Sequence, residues 1–203
     1  MVESRSHSLL LTACHCLQSG GTFSLIRSIT SNDDGTTVLE PSDPIQVQVV
    51  VVDTISDVAI LKANQTFPDA IKLCPAQEYP TAIEEDVVKS YHCPISMFLD
   101  GAIDSISVMA TSYNKLLVST SHHLYVTGEH MRGSAGGVVV DAFGRAVGLI
   151  CSGYVPGIRL PGDYPSLDTA WENLTVLSNG TGSFTKAVQL QAIPDLEGYL
   201  ATH

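Results

Sequence analysis

Three places in this 203-residue chain gather residue types that can do chemistry. Cys14-His15-Cys16 follows the apolar run Leu9-Leu10-Leu11 and supplies an imidazole, the side chain whose ordinary pKa lies nearest neutral pH. Asp57 stands directly before the apolar run Val58-Ala59-Ile60-Leu61. A histidine and a carboxylate are the parts of a proton-transfer pair. The third place is Gly133-Ser134-Ala135-Gly136-Gly137, where three glycines in five residues permit a backbone turn that side chains would obstruct. Its central residue, Ala135, has no nucleophilic atom.

Each of these residues has a plainer role when taken singly. His15 alone reads as a half-buried histidine, and Asp57 as the cap of a turn. Asp53 competes for the carboxylate role, but no Val-Ala-Ile-Leu run follows it. Cys14-His15-Cys16 suggests a metal site, yet alternate residues of a strand face opposite ways. Cys14 and Cys16 would then share a face without His15, and no second ligand pair has zinc spacing. No metal is expected. His122, His123 and His130 read as surface or loop residues.

The elements that must position these groups are β throughout. Strands are expected over 8–12, 23–30, 45–53, 58–62, 70–73, 86–92, 101–109, 115–120, 124–127, 137–140 and 146–151. Asn32-Asp33-Asp34-Gly35 and Asp141-Ala142-Phe143-Gly144 read as turns. Residues 68–80 read as a linker around the strand at 70–73, and the proline- and glycine-rich 154–165 as a loop. Residues 184–192 read as a terminal helix before Pro194. Many short strands separated by turns indicate a barrel or sandwich.

Taken in order, the three motifs resemble the chymotrypsin/trypsin-like peptidase family, including its HtrA-like members. Thr12-Ala13-Cys14-His15-Cys16 is similar to that family's Thr-Ala-Ala-His-Cys. Asp57-Val58-Ala59-Ile60-Leu61 is similar to its Asp-Ile-Ala-Leu-Leu, and residues 133–137 to its Gly-Xaa-Ser-Gly-Gly. The resemblance runs from about Leu9 to Gly153.

It implies an all-β fold of two barrel-like lobes with a C-terminal helix. Residues 1–76 would carry His15 and Asp57, and residues 77–203 the glycine turn, with the second barrel ending near 176. The implied activity is hydrolysis of peptide bonds in protein substrates through an acyl-enzyme, with no cofactor. By the same resemblance His15 is the general acid/base and Asp57 its orienting carboxylate. Ala135 stands in the nucleophile's place, and the N–H groups of Gly133 and residue 135 form the oxyanion hole. Cys151-Ser152-Gly153 matches the strand that pairs with substrate, and Glu129 falls near the base of the specificity pocket. Taking Ser134 as the nucleophile would place Arg132 and Ala135 where the family has glycine, so the frame on 135 fits better.

The chain also departs from the family. Ala135 implies either a serine endopeptidase silenced by a Ser-to-Ala replacement or, alternatively, a natural pseudoprotease that binds peptides without cutting them. Ser134 replaces the aspartate that pairs with a freshly cut N-terminus in secreted trypsins. Few residues precede Leu9, which leaves the first barrel short of strands unless they come from elsewhere, and an open edge invites self-association.

Composition bounds the partners. Ten basic residues against 21 acidic ones give a net charge of −11, which argues against nucleic-acid or anionic-membrane surfaces. No apolar run approaches the roughly 20 residues a membrane-spanning helix needs, and no signal peptide is evident. Five cysteines are an odd number, and reduced thiols point to a cytoplasmic or nuclear protein. The sequons at Asn64, Asn173 and Asn179 point the other way and carry less weight.

Overall fold

The computed structural model describes residues 7–17, 24–25, 45–67, 70–79, 87–92, 95–97, 103–106, 110–119, 121–128, 133–154 and 184–202. The first lobe is an antiparallel sheet built from β1 (His7–Ala13), β2 (Ser24–Leu25), β3 (Ile45–Asp53) and β4 (Val58–Phe67), in the order β1-β4-β3-β2. Among the described residues it is an open sheet, with β1 at one edge. In β3 burial alternates residue by residue, the signature of a strand with one wet face. Val50 and Val52 lie on that wet face. At the start of β4, Val58 to Leu61 are all buried, because both of its faces are covered there.

The second lobe is a closed barrel with strand order β10-β11-β12-β9-β8-β5. Its strands are β5 (Val87–His92), β8 (Ala110–Ser119), β9 (His123–Thr127), β10 (Val138–Val140), β11 (Ala146–Tyr154) and β12 (Phe184–Gln189). The short hairpin of β6 (Ile95–Met97) and β7 (Ile103–Ile106) stands apart from it. Val88, Leu124, Val126, Val139, Val147, Ile150 and Ala187 fill the barrel. A second cluster joins the lobes: Val58 and Ile60 of β4 pack with Leu149 and Cys151 of β11, Val188 of β12, and Leu196.

Several elements differ from the sequence reading. The helix expected over 184–192 is strand β12 followed by a 3-10 turn at Leu190–Ala192, and the C-terminal helix α1 is Leu196–Thr202, beyond Pro194. Phe184, Ala187 and Val188 fit a helical stripe as well as a strand. Hydrogen bonding to β11 on one side and β9 on the other decides for the strand, so the barrel extends past 176. The strand expected at 70–73 is one parallel bridge, Leu73 with Ala146. The sequence gives no signal for β6, and of the strand expected over 101–109 the described part, Ile103–Ile106, is its partner β7. The turn at 32–35 and most of the strand at 23–30 and of the loop at 154–165 lie outside the described residues.

Candidate active site

Register between β1 and β4 brings the first two motifs together. Ala13 lies opposite Val58, so the residue after one faces the residue before the other. The Cys14 N–H donates to the Asp57 carbonyl at 3.0 Å. The chain then enters a 3-10 turn at Cys14–Leu17 instead of continuing as a strand. This corrects the expectation that Cys14 and Cys16 share a face: Cys14 is buried and Cys16 exposed.

The Asp57 carboxylate engages His15 twice. Its Oδ1 accepts the His15 backbone N–H at 2.8 Å, and its Oδ2 lies 2.7 Å from ring Nδ1. A carboxylate can only accept, so Nδ1 carries the proton and Nε2 is the nitrogen left for exchange. The Asp57 hydrogen bond, and next the Cys16 thiol beside the ring, raise the His15 pKa above its ordinary 6.5, with burial opposing them. The side chains are 41% and 31% exposed, so water reaches both partners.

Asp53 does something else. Its Oδ1 accepts the N–H groups of Ile55 and Ser56 at 3.0 and 3.1 Å, closing the turn between β3 and β4. That turn ends with Asp57 in the left-handed region (φ 56°), which aspartate tolerates better than most residues. The turn thus aims the Asp57 carboxylate at His15.

The glycine turn is built as its composition requires. Gly133 and Gly136 have φ of 84° and 85°. The Gly137 N–H donates to the Ser134 carbonyl at 3.0 Å, and the Gly136 N–H to the Ile150 carbonyl at 2.8 Å. Neither the Gly133 nor the Ala135 N–H makes a backbone hydrogen bond among the described residues. Ser134 is buried with its Oγ 2.9 Å from His92 Nδ1, so its hydroxyl faces inward. Ala135 is partly exposed.

β11 passes behind this turn. Its pairing with β10 ends at Leu149, after which Ile150 bonds to Gly136 and Gly137. From Cys151 to Tyr154 only β12 pairs with it among the described residues, leaving an edge beside the turn. Ser152 and Gly153 lie on that edge, opposite Lys186 and Thr185. Cys151 is the extra residue of a bulge, and its side chain is 6% exposed in the core between the lobes. Its side chain is therefore not available to a substrate lying along residues 151–153. Burial first, then the nearby Asp57 charge, push its thiol up to about 12.

Glu129 and His130 lie outside the described residues. His122 is exposed and His123 half-buried, its ring against Tyr125. Among the described residues no group of three or more His, Cys, Asp or Glu side chains is placed to hold a metal ion. An apolar hollow lined by Leu73, Tyr79, Ala146, Leu190, Ile193 and Leu196 includes neither His15 nor the glycine turn. The sequence reading missed the contacts that Thr12 and His92 make with the glycine turn. Neither carries a local signal, because both depend on the packing of distant strands.

Comparison with known proteins bears on the family and the fold. A family model described as "Trypsin-like peptidase domain" matches residues 1–149. The MamO protease domain from Magnetospirillum magneticum (apo form) superposes with a TM-score of 0.50 at 14% identity, over 93% of this chain and 82% of that one. The HtrA-type protease AlgW with decapeptide gives a TM-score of 0.57 at 15% identity, over 98% of this chain and 50% of that one. At such identities the likeness is one of fold, the all-β chymotrypsin type. A search of curated proteins finds no match to the sequence.

Proposed function

The chain belongs to the trypsin-like peptidase family, and on that premise we propose that it is a serine endopeptidase scaffold silenced at Ala135. One observation carries the reading: the His15–Asp57 pair and the glycine turn converge. A Cβ placed on Gly136 would lie 2.6 Å from Thr12 Oγ1, three residues before His15. Residue 135 therefore adjoins the strand end that presents the imidazole. We place the cleft between the lobes, residues 1–76 and 77–203.

With serine at 135, the steps follow from the groups in place. His15 Nε2 takes the hydroxyl proton as Oγ bonds to the substrate carbonyl carbon. The carbonyl oxygen becomes an oxyanion facing the N–H groups of Gly133 and residue 135, both free of backbone partners among the described residues. The imidazolium, stabilised by Asp57, then protonates the departing amine and leaves an acyl-enzyme. Water deprotonated by the same ring releases the acid. An extended substrate would add as a strand to the edge at Ser152 and Gly153.

Ala135 itself favours a second reading, a pseudoprotease that binds peptides without hydrolysing them. Cleavage of casein or a mixed peptide library by the Ala135→Ser protein separates the two. Cutting that disappears with His15→Ala supports the peptidase. A folded serine form that binds peptides but leaves them whole supports the pseudoprotease.

A further inference from the structure

Among the described residues, the turn at 133–137 is held by the end of β5. That strand pairs with β10, Tyr91 opposite Val138, which sets its last residue, His92, against the turn. Two contacts join them. A Cβ on Gly137 would lie 2.9 Å from His92 Cβ and 2.6 Å from the Tyr91 carbonyl oxygen, so backbone and ring side of β5 press on the turn. The buried Ser134 hydroxyl lies 2.9 Å from His92 Nδ1, which satisfies a group whose burial without a partner would be costly.

Holding Ser134 fixes more than its own side chain. In a trans peptide the C=O of one residue and the N–H of the next point in opposite directions. The Ser134 carbonyl is turned toward the Gly137 N–H, which donates to it at 3.0 Å. The Ala135 N–H, on the same peptide plane, must therefore point the other way, out of the turn. A Ser134 free to rotate would carry that N–H with it.

We propose that His92 is a positioning residue that, through its hydrogen bond to Ser134, holds the Ala135 N–H in the direction the oxyanion requires. This rests on the peptidase reading above. Burial lowers the His92 pKa below its ordinary 6.5, so the ring is neutral at neutral pH. The contact is then a hydrogen bond between neutral groups and needs no charge in the core.

The test uses Ser134→Ala, His92→Leu, His92→Asn and the Ser134→Ala/His92→Leu pair, each in the Ala135→Ser protein, with peptide-amide kinetics. Loss of the hydrogen bond is expected to lower kcat roughly 10- to 100-fold, the scale of a small misplacement at a reacting centre, with KM nearly unchanged. The double variant should be no worse than the poorer single one. His92→Asn, whose amide reaches the Nδ1 position, should recover part of the loss. A second readout uses the Ala135 chain as it stands: amide exchange at Gly136 and Gly137, whose N–H groups donate to the Ile150 and Ser134 carbonyls, should accelerate in Ser134→Ala. Unchanged kcat and exchange in Ser134→Ala overturn the proposal, as does a rise in KM alone. An inert Ala135→Ser protein counts against the peptidase reading, and exchange then decides for or against the latch.

Discussion

Gly136 stands against Thr12: a Cβ at position 136 would fall 2.6 Å from Thr12 Oγ1 and 3.4 Å from the Ala13 backbone nitrogen. This contact joins the glycine turn of the barrel lobe to β1, the strand that leads into the turn carrying His15. Gly136 also has φ of 85°. Gly136→Ala should therefore meet two obstacles, left-handed backbone and collision with β1. A loss of about 1–3 kcal/mol in denaturant unfolding is expected. In the Ala135→Ser protein, kcat should fall further than KM changes, because the turn must move away from β1. Unchanged stability would mean that the two lobes are not pressed together here.

The double hold of Asp57 on His15 leads to a second expectation. Asp57→Asn in the Ala135→Ser protein puts an amide where the carboxylate was. Its N–H₂ can donate to Nδ1 and so favour the wrong tautomer. A fall in kcat of about 10⁴-fold is the scale such a change produces in serine peptidases. The effect on the ring is also readable without catalysis. NMR titration of His15 in the Ala135 chain should give a pKa above 6.5 that drops on Asp57→Asn, since the Asp57 hydrogen bond is the first cause of the rise. The sign for stability follows from linkage. The folded state holds the His15 proton more tightly, so the ion pair's contribution is full below about pH 6.5 and fades as pH rises through the folded pKa. Both groups are partly exposed, and the contribution should be below about 1 kcal/mol. Catalysis runs the other way: it needs the neutral ring, so activity of the serine form should rise with pH across that interval.

How far these features were legible in the sequence depends on their range. The alternation in Ile45–Asp53 and the turn chemistry of Asp141–Gly144 are local, and the structure contains both. His15, Asp57 and the glycine turn stand out only together, through the resemblance of their three motifs, in order, to the trypsin-like family. Phe184–Gln189 was misread because six residues fit two periods equally, and the strands that decide between them are distant. The 3-10 turn at Cys14–Leu17 was misread for a related reason: Cys14 bonds to Asp57, which lies far along the chain. The His92–Ser134 contact spans 42 residues and no local pattern announces it.

The hairpin between β10 and β11 supplies a contrast to the site. Asp141 is buried, and its Oδ1 accepts the N–H groups of Phe143 and Arg145 at 2.9 Å, while Oδ2 accepts Arg145 Nε–H at 2.8 Å. Arg145 also pairs with Glu78 of the connecting segment between the lobes. Asp141→Ala removes the acceptor for three donors at once, and a loss of about 2–4 kcal/mol is expected in urea unfolding. None of these groups touches His15 or the glycine turn. At temperatures where the variant stays folded, the Ala135→Ser background should keep its kcat.

Thiol reactivity follows from which face each cysteine takes. Cys14, Cys74 and Cys151 are buried, and burial is the first cause raising the pKa of each. The thiolate is the reacting form, so all three should be slow toward iodoacetamide under native conditions. Cys16 is exposed on the turn that carries His15. Mass spectrometry after brief labelling should find Cys16 modified first among these four, and the other three only once urea opens the fold. Because Cys16 adjoins the imidazole, labelled Ala135→Ser protein should also lose activity, and His15 protonation in the Ala135 chain should shift on labelling. Fast modification of Cys14 in the native protein would show that the strand end beneath His15 is open to solvent, and the close packing of Thr12 on Gly136 would then have to be abandoned.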